Sequence, residues 1–364
     1  MVQLSRLFFA LLLSLSAASA ASGQNAPQPQ LQPRPDQPAK VPAPKGTDRQ
    51  VTIEVQVTDK SGAPVRGLQK QDFTLLDDKQ PQNILSFRAV DGGAASTADP
   101  VEIILVIDAV NSSFQSVARE RDQVKKFLLR NGGKLADPVS LVIFSDAGAD
   151  IQNGSFRDGN ALATLLDQKE LGLRTITRSQ GFWGAKERFE MSLKTMRSFG
   201  EYEGARPGRK LVIWVSPGWP LLSGPNVHFY GKDLEQFFNS IVEFSTGLRQ
   251  ARVTIYSLDP LGTSDFGRSR HYEAFVKGVT SPSRTVPGNL GLQVLAVQTG
   301  GRVFTSTNDI TSAIADCAAD ADAYYVLSFD GALADRANEY HAIGVTVDRP
   351  GVRARTRTGY YAQR

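Results

Sequence analysis

The sequence predicts an α/β protein in which a doubly wound parallel sheet is joined to a small β-sandwich-like unit made of strands from both ends of the chain. The middle of the chain alternates apolar, strand-like runs with helical segments, which is typical of a parallel sheet covered on both faces. Both ends instead alternate apolar and polar residues with a period of two. With 364 residues, 41% hydrophobic and 21% charged, the chain is long enough for one large and one small domain.

The N-terminus has the pattern of an export signal. Arg6 precedes an apolar run at residues 7–15 that is too short to span a membrane, and small residues lead to a cleavage site after Ala20. Residues 1–20 are therefore predicted to be a signal peptide, and the protein is expected in the periplasm or the extracellular space. Residues 21–48 are rich in Pro, Gln and Ala, which predicts a linker, and no later segment predicts a transmembrane anchor.

The first β region covers residues 49–92. Residues 51–59 place apolar side chains on one face and polar ones on the other, and two short strand-like runs follow at residues 72–78 and 82–90. Three short strands are not stable without a partner layer. We expect that layer to come from residues 324–364, so that the two ends of the chain close one β-sandwich.

The predicted α/β region covers residues 100–323. Its strand-like runs are apolar throughout, as in strands that are buried on both faces, and they lie at residues 101–107, 139–144, 210–216 and 252–259. Segments with helical periodicity lie between and after them, at residues 119–130, 160–168, 186–199, 232–250, 290–299 and 309–322. This alternation is the basis for predicting a doubly wound sheet.

One turn in this region has the composition of a ligand-binding turn. The apolar strand at residues 103–107 stops at Asp108, and the polar residues Asn111, Ser112 and Ser113 follow, which can cap a helix that is predicted to begin near Phe114. In open α/β sheets, a turn at the carboxyl end of a central strand faces the crevice where ligands bind. We therefore expect the functional face of the protein around Asp108.

Composition and motifs argue against several classes of function. The single cysteine, Cys317, excludes an internal disulfide, and a net charge of +4 with interspersed signs does not indicate nucleic-acid binding. The three histidines, His228, His271 and His341, lie in no recognisable catalytic motif, and His341 is expected at the surface at the start of a strand. No catalytic residue and no organic cofactor site is predicted, so the protein is not expected to be an enzyme.

Three loops, at residues 173–184, 216–231 and 259–289, have the residues of a contact surface. The long segment at residues 259–289 follows the end of a strand, so it should lie on the same face as Asp108. Aromatic and basic side chains are typical of binding surfaces, although the same aromatics can also pack the loops against the core. The side chains predicted to contact a partner are Trp183, Trp219, Arg268, Arg270 and Tyr272.

The chain resembles the von Willebrand factor A domain family, and in particular the secreted "VWFA-related" proteins of acidobacteria. The resemblance rests on the order and spacing of several segments: GLQKQDFTLLDDKQPQNILSF, VIDAVNSSF, PGRKLVIWVSPGWP, VTIYSLDP, LAVQTGGRVF, YYVLSF and RARTRTGYYA. It implies an A-domain-like fold for residues 100–323, with residues 49–92 and 324–364 packing together beside it.

The resemblance also implies a metal-ion-dependent adhesion site. The family pattern is Asp-x-Ser-x-Ser on the first strand–helix turn, a Thr from a second loop and an Asp from a third. Asp108 and Ser112 match the first Asp and the second Ser, but Val110 stands at the first Ser position and Ser216 stands where the third-loop Asp is expected. The implied site is therefore degenerate.

The side chains that could still ligate a cation at this face are Asp108, Asn111, Ser112, Asp146 and Thr175, with Thr177 as an alternative to Thr175. With one firm carboxylate, the site is expected to bind Mg²⁺ or Ca²⁺ weakly, or to bind no cation. The alternative role of this turn is structural, through helix capping and backbone hydrogen bonds.

Together these observations predict a secreted, non-enzymatic binding or adhesion protein that contacts a protein or a cell-surface component. Two alternatives remain open at the level of sequence. One is an exported hydrolase whose site is assembled from dispersed residues, and the other is a structural module of an envelope assembly. The sequence specifies neither the ligand nor the oligomeric state.

Overall fold

The computed structural model describes residues 49–91, 99–169, 181–220, 222, 229–260, 271–305 and 307–362. The predicted signal peptide and linker lie outside this part of the chain. The α/β class is confirmed: a mostly parallel central sheet lies beside two antiparallel sheets. Within the described residues, no helix combines the length and the apolar character needed to cross a lipid bilayer.

The elements follow each other in an order that begins and ends with strands. The strands are β1 (Gln50–Thr58), β2 (Phe73–Asp77), β3 (Gln80–Gln82), β4 (Ser86–Asp91), β5 (Val101–Asp108), β6 (Lys134–Ser145), β7 (Gly148–Ile151), β8 (Phe156–Asp158), β9 (Arg209–Val215), β10 (Val253–Leu258), β11 (Val303–Phe304), β12 (Ala323–Asp330), β13 (Glu339–Val347), β14 (Arg353–Arg355) and β15 (Gly359–Ala362). The helices are α1 (Phe114–Leu128), α2 (Gly159–Gln168), α3 (Phe182–Gly204), α4 (Lys232–Gln250), α5 (Leu292–Gln298) and α6 (Ile310–Ala318).

The central sheet has the spatial order β11-β10-β9-β5-β6-β7, and β8 also pairs with β6. Neighbouring strands from β11 to β6 are parallel, whereas β7 and β8 run antiparallel to β6. The strand β5 lies inside the sheet with β9 on one side and β6 on the other. Its position explains its continuous apolar sequence, because both of its faces and both of its edges are covered.

Alternate residues of β5 belong to two different apolar cores. Ile104 and Val106 pack in a core with side chains of α3, α4 and α5. Ile103, Leu105 and Ile107 pack in a second core with side chains of α1, α2 and α6. Successive residues of a strand point to opposite sides of the sheet, so one apolar run contributes to both cores.

The two antiparallel sheets have the orders β14-β1-β12-β4 and β15-β13-β2-β3. The strand β1 pairs with β12, with Ile53 opposite Leu327, and β2 pairs with β13. A third apolar core joins the two sheets and includes Ile53, Leu75, Leu327 and Tyr360. Strands near the start of the chain are thus paired with strands near its end, while the domain boundaries at 92, 100 and 323 remain predictions.

The helix boundaries agree closely with the predicted ones. The helix α1 begins at Phe114, where its start is predicted, and the hydroxyl of Ser113 caps it by accepting a hydrogen bond from the backbone N–H of Ser116 at 3.2 Å. The helix α4 has the predicted bounds. The helix α6 ends at Ala318, and a 3₁₀ turn at Ala319–Ala321 continues the predicted helical segment.

A group of ion pairs connects the antiparallel sheets to the central sheet. The buried carboxylate of Asp99, just before β5, pairs with Arg88 of β4 and with Arg252, just before β10. Arg252 also pairs with Glu54 of β1 at 2.7 Å, and the hydroxyl of Tyr324 donates a hydrogen bond to Asp99 at 3.2 Å. Burial raises the pKa of Asp99, but the bonds from Arg252 and Arg88 outweigh burial and lower this pKa to about 2.

We expect Asp99→Asn to lower the free energy of unfolding at pH 7 by about 2 kcal/mol. Because the pKa of Asp99 is lower in the folded than in the unfolded state, its contribution is present above pH 4 and is lost as the pH falls toward 2. Urea unfolding of the wild type and the variant should therefore differ at pH 7 and converge at acidic pH. The control is Asp330→Asn at the exposed end of β12, which should change little at any pH. A constant difference between pH 7 and pH 3 would contradict this account.

Candidate functional site

Three neighbouring strands of the central sheet end in buried polar residues at the same edge, called here the carboxyl edge. The strand β5 ends at Asp108, while Ser216 follows β9 and Asp259 follows β10. The register places Val215 of β9 opposite both Ile107 of β5 and Leu258 of β10, so these polar residues form a row. Asp108 and Ser216 have no exposed surface, and Asp259 is 6% exposed.

The carboxylate of Asp108 accepts five hydrogen bonds. Its Oδ1 atom accepts from the backbone N–H groups of Val110 at 3.0 Å and Asn111 at 2.9 Å. Its Oδ2 atom accepts from Asn111 Nδ2 at 2.9 Å, Trp214 Nε1 at 3.1 Å and Ser216 Oγ at 2.9 Å. One side chain therefore fixes the turn after β5 and joins it to β9.

This arrangement compensates for the burial of the carboxylate. Burial raises the pKa of Asp108, and the hydrogen bonds from Asn111, Trp214 and Ser216 oppose that rise. Hydrogen bonds to a charged acceptor are stronger than hydrogen bonds between neutral groups, so they can stabilise a carboxylate that is buried away from water. The indole N–H of Trp214 and the hydroxyl of Ser216 both donate to Oδ2, so this oxygen already accepts hydrogen bonds from β9 and from the residue after it.

The structure describes the other predicted metal ligands only in part. Asn111 directs its Nδ2 atom to Asp108 and also to Ser192 Oγ of α3 at 3.0 Å. The remaining Asn111 Oδ1 atom and the Ser112 hydroxyl are buried and have no hydrogen-bond partner among the described residues. Asp146 follows β6 at the carboxyl edge and interacts with other groups, and Thr175 and Thr177 lie outside the described residues. The cation site therefore stays a prediction, with Asn111 Oδ1 and the Ser112 hydroxyl as the unbonded oxygens of this turn among the described residues.

A buried glutamate lies beside this turn and was not among the predicted site residues. Glu120 of α1 has no exposed surface. Burial raises its pKa well above the usual value, the nearby Ser112 hydroxyl lowers it, and the carboxylates of Asp108 and Asp259 raise it. Neither carboxyl oxygen of Glu120 makes a hydrogen bond within the usual distance limit to another described residue. These conditions favour the neutral carboxylic acid.

The sequence does contain a signal for this glutamate. Glu120 lies three residues after Val117 and four before Val124, which places it on the apolar stripe of α1. Both valines are buried against the sheet, so a residue between them on the same stripe must be buried as well. An acidic residue on the apolar stripe of a helix is therefore a sequence signal for a buried carboxyl group.

Exposed aromatic side chains lie at the same edge as Asp108. The helix α1 starts at this edge. The helices α3 and α4 end shortly before β9 and β10 begin, so their C-termini lie at the opposite edge of the sheet and their N-termini lie at the carboxyl edge. Phe114, Trp183 and Tyr230 stand at or next to these three N-termini and are 66%, 72% and 71% exposed. We call these three residues the aromatic edge. The ring of Trp183 contacts Phe182 edge-on, and Lys186 Nζ lies 6.0 Å above it.

The side chains that were predicted to contact a partner differ in their exposure. Trp183 is exposed, whereas Trp219 is only 4% exposed and packs its ring edge-on against Trp214 at 5.6 Å. Trp219 is thus a core residue that supports the loop after β9, so it is not part of the surface. Tyr272 is half-buried in the 3₁₀ turn His271–Phe275, and Arg268 and Arg270 lie outside the described residues.

No family model matches the chain, and no curated protein matches it. The human COPII-coat protein Sec24c has 11% sequence identity and a TM-score of 0.31, with 73% of this chain and 44% of that chain covered. The pilus adhesin SpaC from Lactobacillus rhamnosus GG, in its open conformation, has 12% identity and a TM-score of 0.34, with 85% and 41% covered. This chain therefore spans less than half the length of either protein.

A domain of von Willebrand A type is also among the similar structures. The SpRpn10 VWA domain has 8% identity and a TM-score of 0.26, and the alignment covers 60% of this chain and 93% of that domain. At these TM-scores, none of the three likenesses carries an argument about this chain. The site is therefore interpreted from its own geometry.

We expect Ser216→Ala to lower the free energy of unfolding by about 1.5–3 kcal/mol, because it removes a hydrogen bond to a buried charged acceptor. The control is Ser257→Ala on the adjacent strand β10, since Ser257 is equally buried and its hydroxyl has no hydrogen-bond partner among the described residues. Urea unfolding of both variants measures the difference. Equal effects of the two substitutions would show that the hydroxyl of Ser216 does not hold Asp108.

Proposed function

We propose that this protein is an exported, non-enzymatic binding protein that contacts a protein or a cell-surface component through the carboxyl edge of a von Willebrand A-like domain. The observation that carries the proposal is the aromatic edge. Phe114, Trp183 and Tyr230 are the three most exposed aromatic side chains among the described residues, and all three lie at one edge of one sheet. Export is proposed from the sequence alone, because residues 1–48 lie outside the described part of the chain.

The strand order supports the A-like, doubly wound fold that we propose for residues 100–323. Numbered in chain order without the side strand β8, the strands of the central sheet have the spatial order 3-2-1-4-5-6. This is the order of one common type of doubly wound sheet, in which ligands bind outside the carboxyl ends of the strands. Helices that pack in two separate cores, one for each set of alternate β5 residues, are consistent with this fold.

The chemistry of the aromatic edge suits a macromolecular partner. Trp, Tyr and Arg dominate the free energy of binding at protein interfaces, because large, rigid side chains bury much apolar surface at a small entropic cost. In the free protein an exposed aromatic side chain is unfavourable, because it leaves apolar surface in contact with water. Three such side chains at one edge are therefore better explained by a binding surface than by solubility.

The hydrogen bonds of Asp108 give this surface a fixed geometry, and we propose that this structural role replaces cation binding in this chain. The turn held by Asp108 leads directly into Phe114 of α1. Asn111 connects the same turn to Ser192 of α3, the helix that carries Trp183. A surface that is already ordered loses less conformational entropy when it binds, which increases affinity without any new contact.

The test is capture of partners from envelope and matrix extracts by the purified wild type and by a triple variant with Phe114, Trp183 and Tyr230 each changed to alanine. Truncation of an interface Trp or Tyr costs about 2 kcal/mol, which is about 30-fold in affinity. We expect the triple variant to lose capture while its unfolding midpoint stays close to that of the wild type.

The matched control is Leu333→Ala, because Leu333 is 74% exposed and lies after β12, in the antiparallel part of the structure. This variant should capture the same partners as the wild type. The proposal fails if the wild type captures nothing, or if the triple variant captures the same partners with unchanged affinity.

A further inference from the structure

Three side chains with metal-ligating atoms converge at one end of the sheet formed by β15, β13, β2 and β3. They are Asp77 at the end of β2, Asp78 in the following turn and His341 in β13, called here the Asp–His cluster. One ligand atom from each of them lies within 4.8 Å of the others. No other group of three His, Cys, Asp or Glu residues within the described ranges meets this condition. The cluster lies outside the carboxyl edge, so it is independent of the proposed function.

Strand pairing explains why these residues meet. The strand β2 runs antiparallel to β13 with Asp77 opposite Ile343, and β15 pairs with β13 with Tyr360 opposite His341. His341 and Ile343 are two residues apart, so their side chains lie on the same face of the sheet. Asp77, His341 and Tyr360 therefore share one face, where Asp77 is 3% and His341 is 8% exposed. The prediction of a surface position for His341 was wrong, because that face is covered by the core of the two sheets.

Two carboxylates are directed at the same imidazole nitrogen. His341 Nδ1 lies 3.1 Å from Asp77 Oδ1 and 3.3 Å from Asp78 Oδ2. A ring nitrogen carries at most one hydrogen, so it can make a linear hydrogen bond to only one of them. Zn²⁺ binds nitrogen and carboxylate oxygen at about 2.0–2.2 Å, which separates neighbouring ligands by about 3.0–3.4 Å. The two observed nitrogen–oxygen distances fall within this range.

The second oxygen of each carboxylate is held by another donor. The hydroxyl of Tyr360 donates to Asp77 Oδ2 at 2.7 Å, and the backbone N–H of Ala342 donates to Asp78 Oδ1 at 2.9 Å. Such outer contacts are usual around metal ligands, because they fix the direction of the ligating oxygen. The backbone N–H of Asp78 also donates to the carbonyl of Ala342 at 2.9 Å, which holds the turn beside β13.

The Nδ1 atom of the His341 imidazole faces both carboxylates and lies at hydrogen-bond distance from Asp77 Oδ1. The ring of His341 stacks on Tyr360 with a centroid distance of 5.3 Å and an interplanar angle of 22°. Its Nε2 atom is buried and has no hydrogen-bond partner among the described residues, so Nδ1 is the ring nitrogen that the two carboxylates contact. The side chain of Asp78 is 53% exposed, which leaves a path from solvent and open coordination positions on that side.

We propose that Asp77, Asp78 and His341 form a binding site for a divalent transition-metal cation of the Zn²⁺ type. One imidazole nitrogen and two carboxylate oxygens suit this class of ion, and water can complete its coordination. The ion connects the turn after β2 to β13, two segments that are 264 positions apart in the chain. Since these segments meet only in the folded protein, the ion binds the folded state and stabilises it.

The test is a calorimetric titration of metal-stripped, full-length protein with zinc chloride, together with thermal unfolding at the same concentrations. The decisive variant is Asp78→Asn, which removes one charged ligand but keeps an oxygen that can accept the Ala342 N–H. Asn also tolerates the positive φ of 46° at this position. Asp348→Asn is the control, because Asp348 is exposed, follows β13 and lies outside the cluster.

We expect one Zn²⁺ per chain in the wild type and in Asp348→Asn, with a higher unfolding midpoint in the presence of the ion. Asp78→Asn should weaken Zn²⁺ binding at least tenfold and lose the shift in midpoint. His341→Gln should also lose binding, and Co²⁺ absorption of the wild type should show a nitrogen-containing ligand set that this variant lacks. No binding by the wild type, or equal binding by Asp78→Asn, overturns the proposal.

Discussion

The structure of the carboxyl edge depends on one buried carboxylate surrounded by hydrogen-bond donors. Asp108 has no exposed surface, and five donors from Val110, Asn111, Trp214 and Ser216 point at its two oxygens. Removing the carboxylate would leave an indole N–H and two backbone N–H groups without acceptors in a dry environment, which is costly. The turn after β5, the end of β9 and the start of α1 are thus positioned by the same side chain.

This constraint relates the interior of the molecule to its surface. The helices that begin at the carboxyl edge are packed in two apolar cores, and Asp108 and Asn111 fix the turn between β5 and α1 against β9 and α3. The exposed rings of Phe114 and Trp183 are therefore carried by elements with a defined relative position. Rigid presentation of aromatic side chains is what a binding surface needs, and it requires neither a cation nor catalytic groups.

Local pattern was sufficient to predict the parallel strands β5, β6, β9 and β10 of the central sheet, but it did not predict the short antiparallel strands β7 and β8. The apolar run of β5 ends at Asp108 as expected, and α4 has the predicted bounds, because burial on a strand or helix leaves a periodic signal in the sequence. The position of single side chains was harder to predict. Trp219 follows a Pro-Gly turn and was predicted to contact a partner, but its burial depends on the ring of Trp214, which the local sequence does not indicate.

Glu120 and the Asp–His cluster were not predicted from the sequence, and they illustrate the same limit. Glu120 was detectable in principle, because it lies on the buried stripe of α1, although its proximity to Asp108 and Asp259 depends on the packing of α1 against the sheet. Asp77 meets His341 only because β2 pairs with β13 near the other end of the chain. Periodicity identifies strands, but it does not specify which distant strand each one pairs with.

We propose that Asp108 is a structural carboxylate surrounded by hydrogen-bond donors and that it does not ligate a cation. The most direct test is thermal unfolding of the wild type and of Asp108→Ala in EDTA, and then with Mg²⁺ or Ca²⁺ added. We expect Asp108→Ala to have a much lower midpoint, and we expect neither cation to raise the midpoint of the wild type more than that of the variant. A rise that occurs in the wild type and is absent from Asp108→Ala would contradict it, because a ligand stabilises only a folded state that binds it.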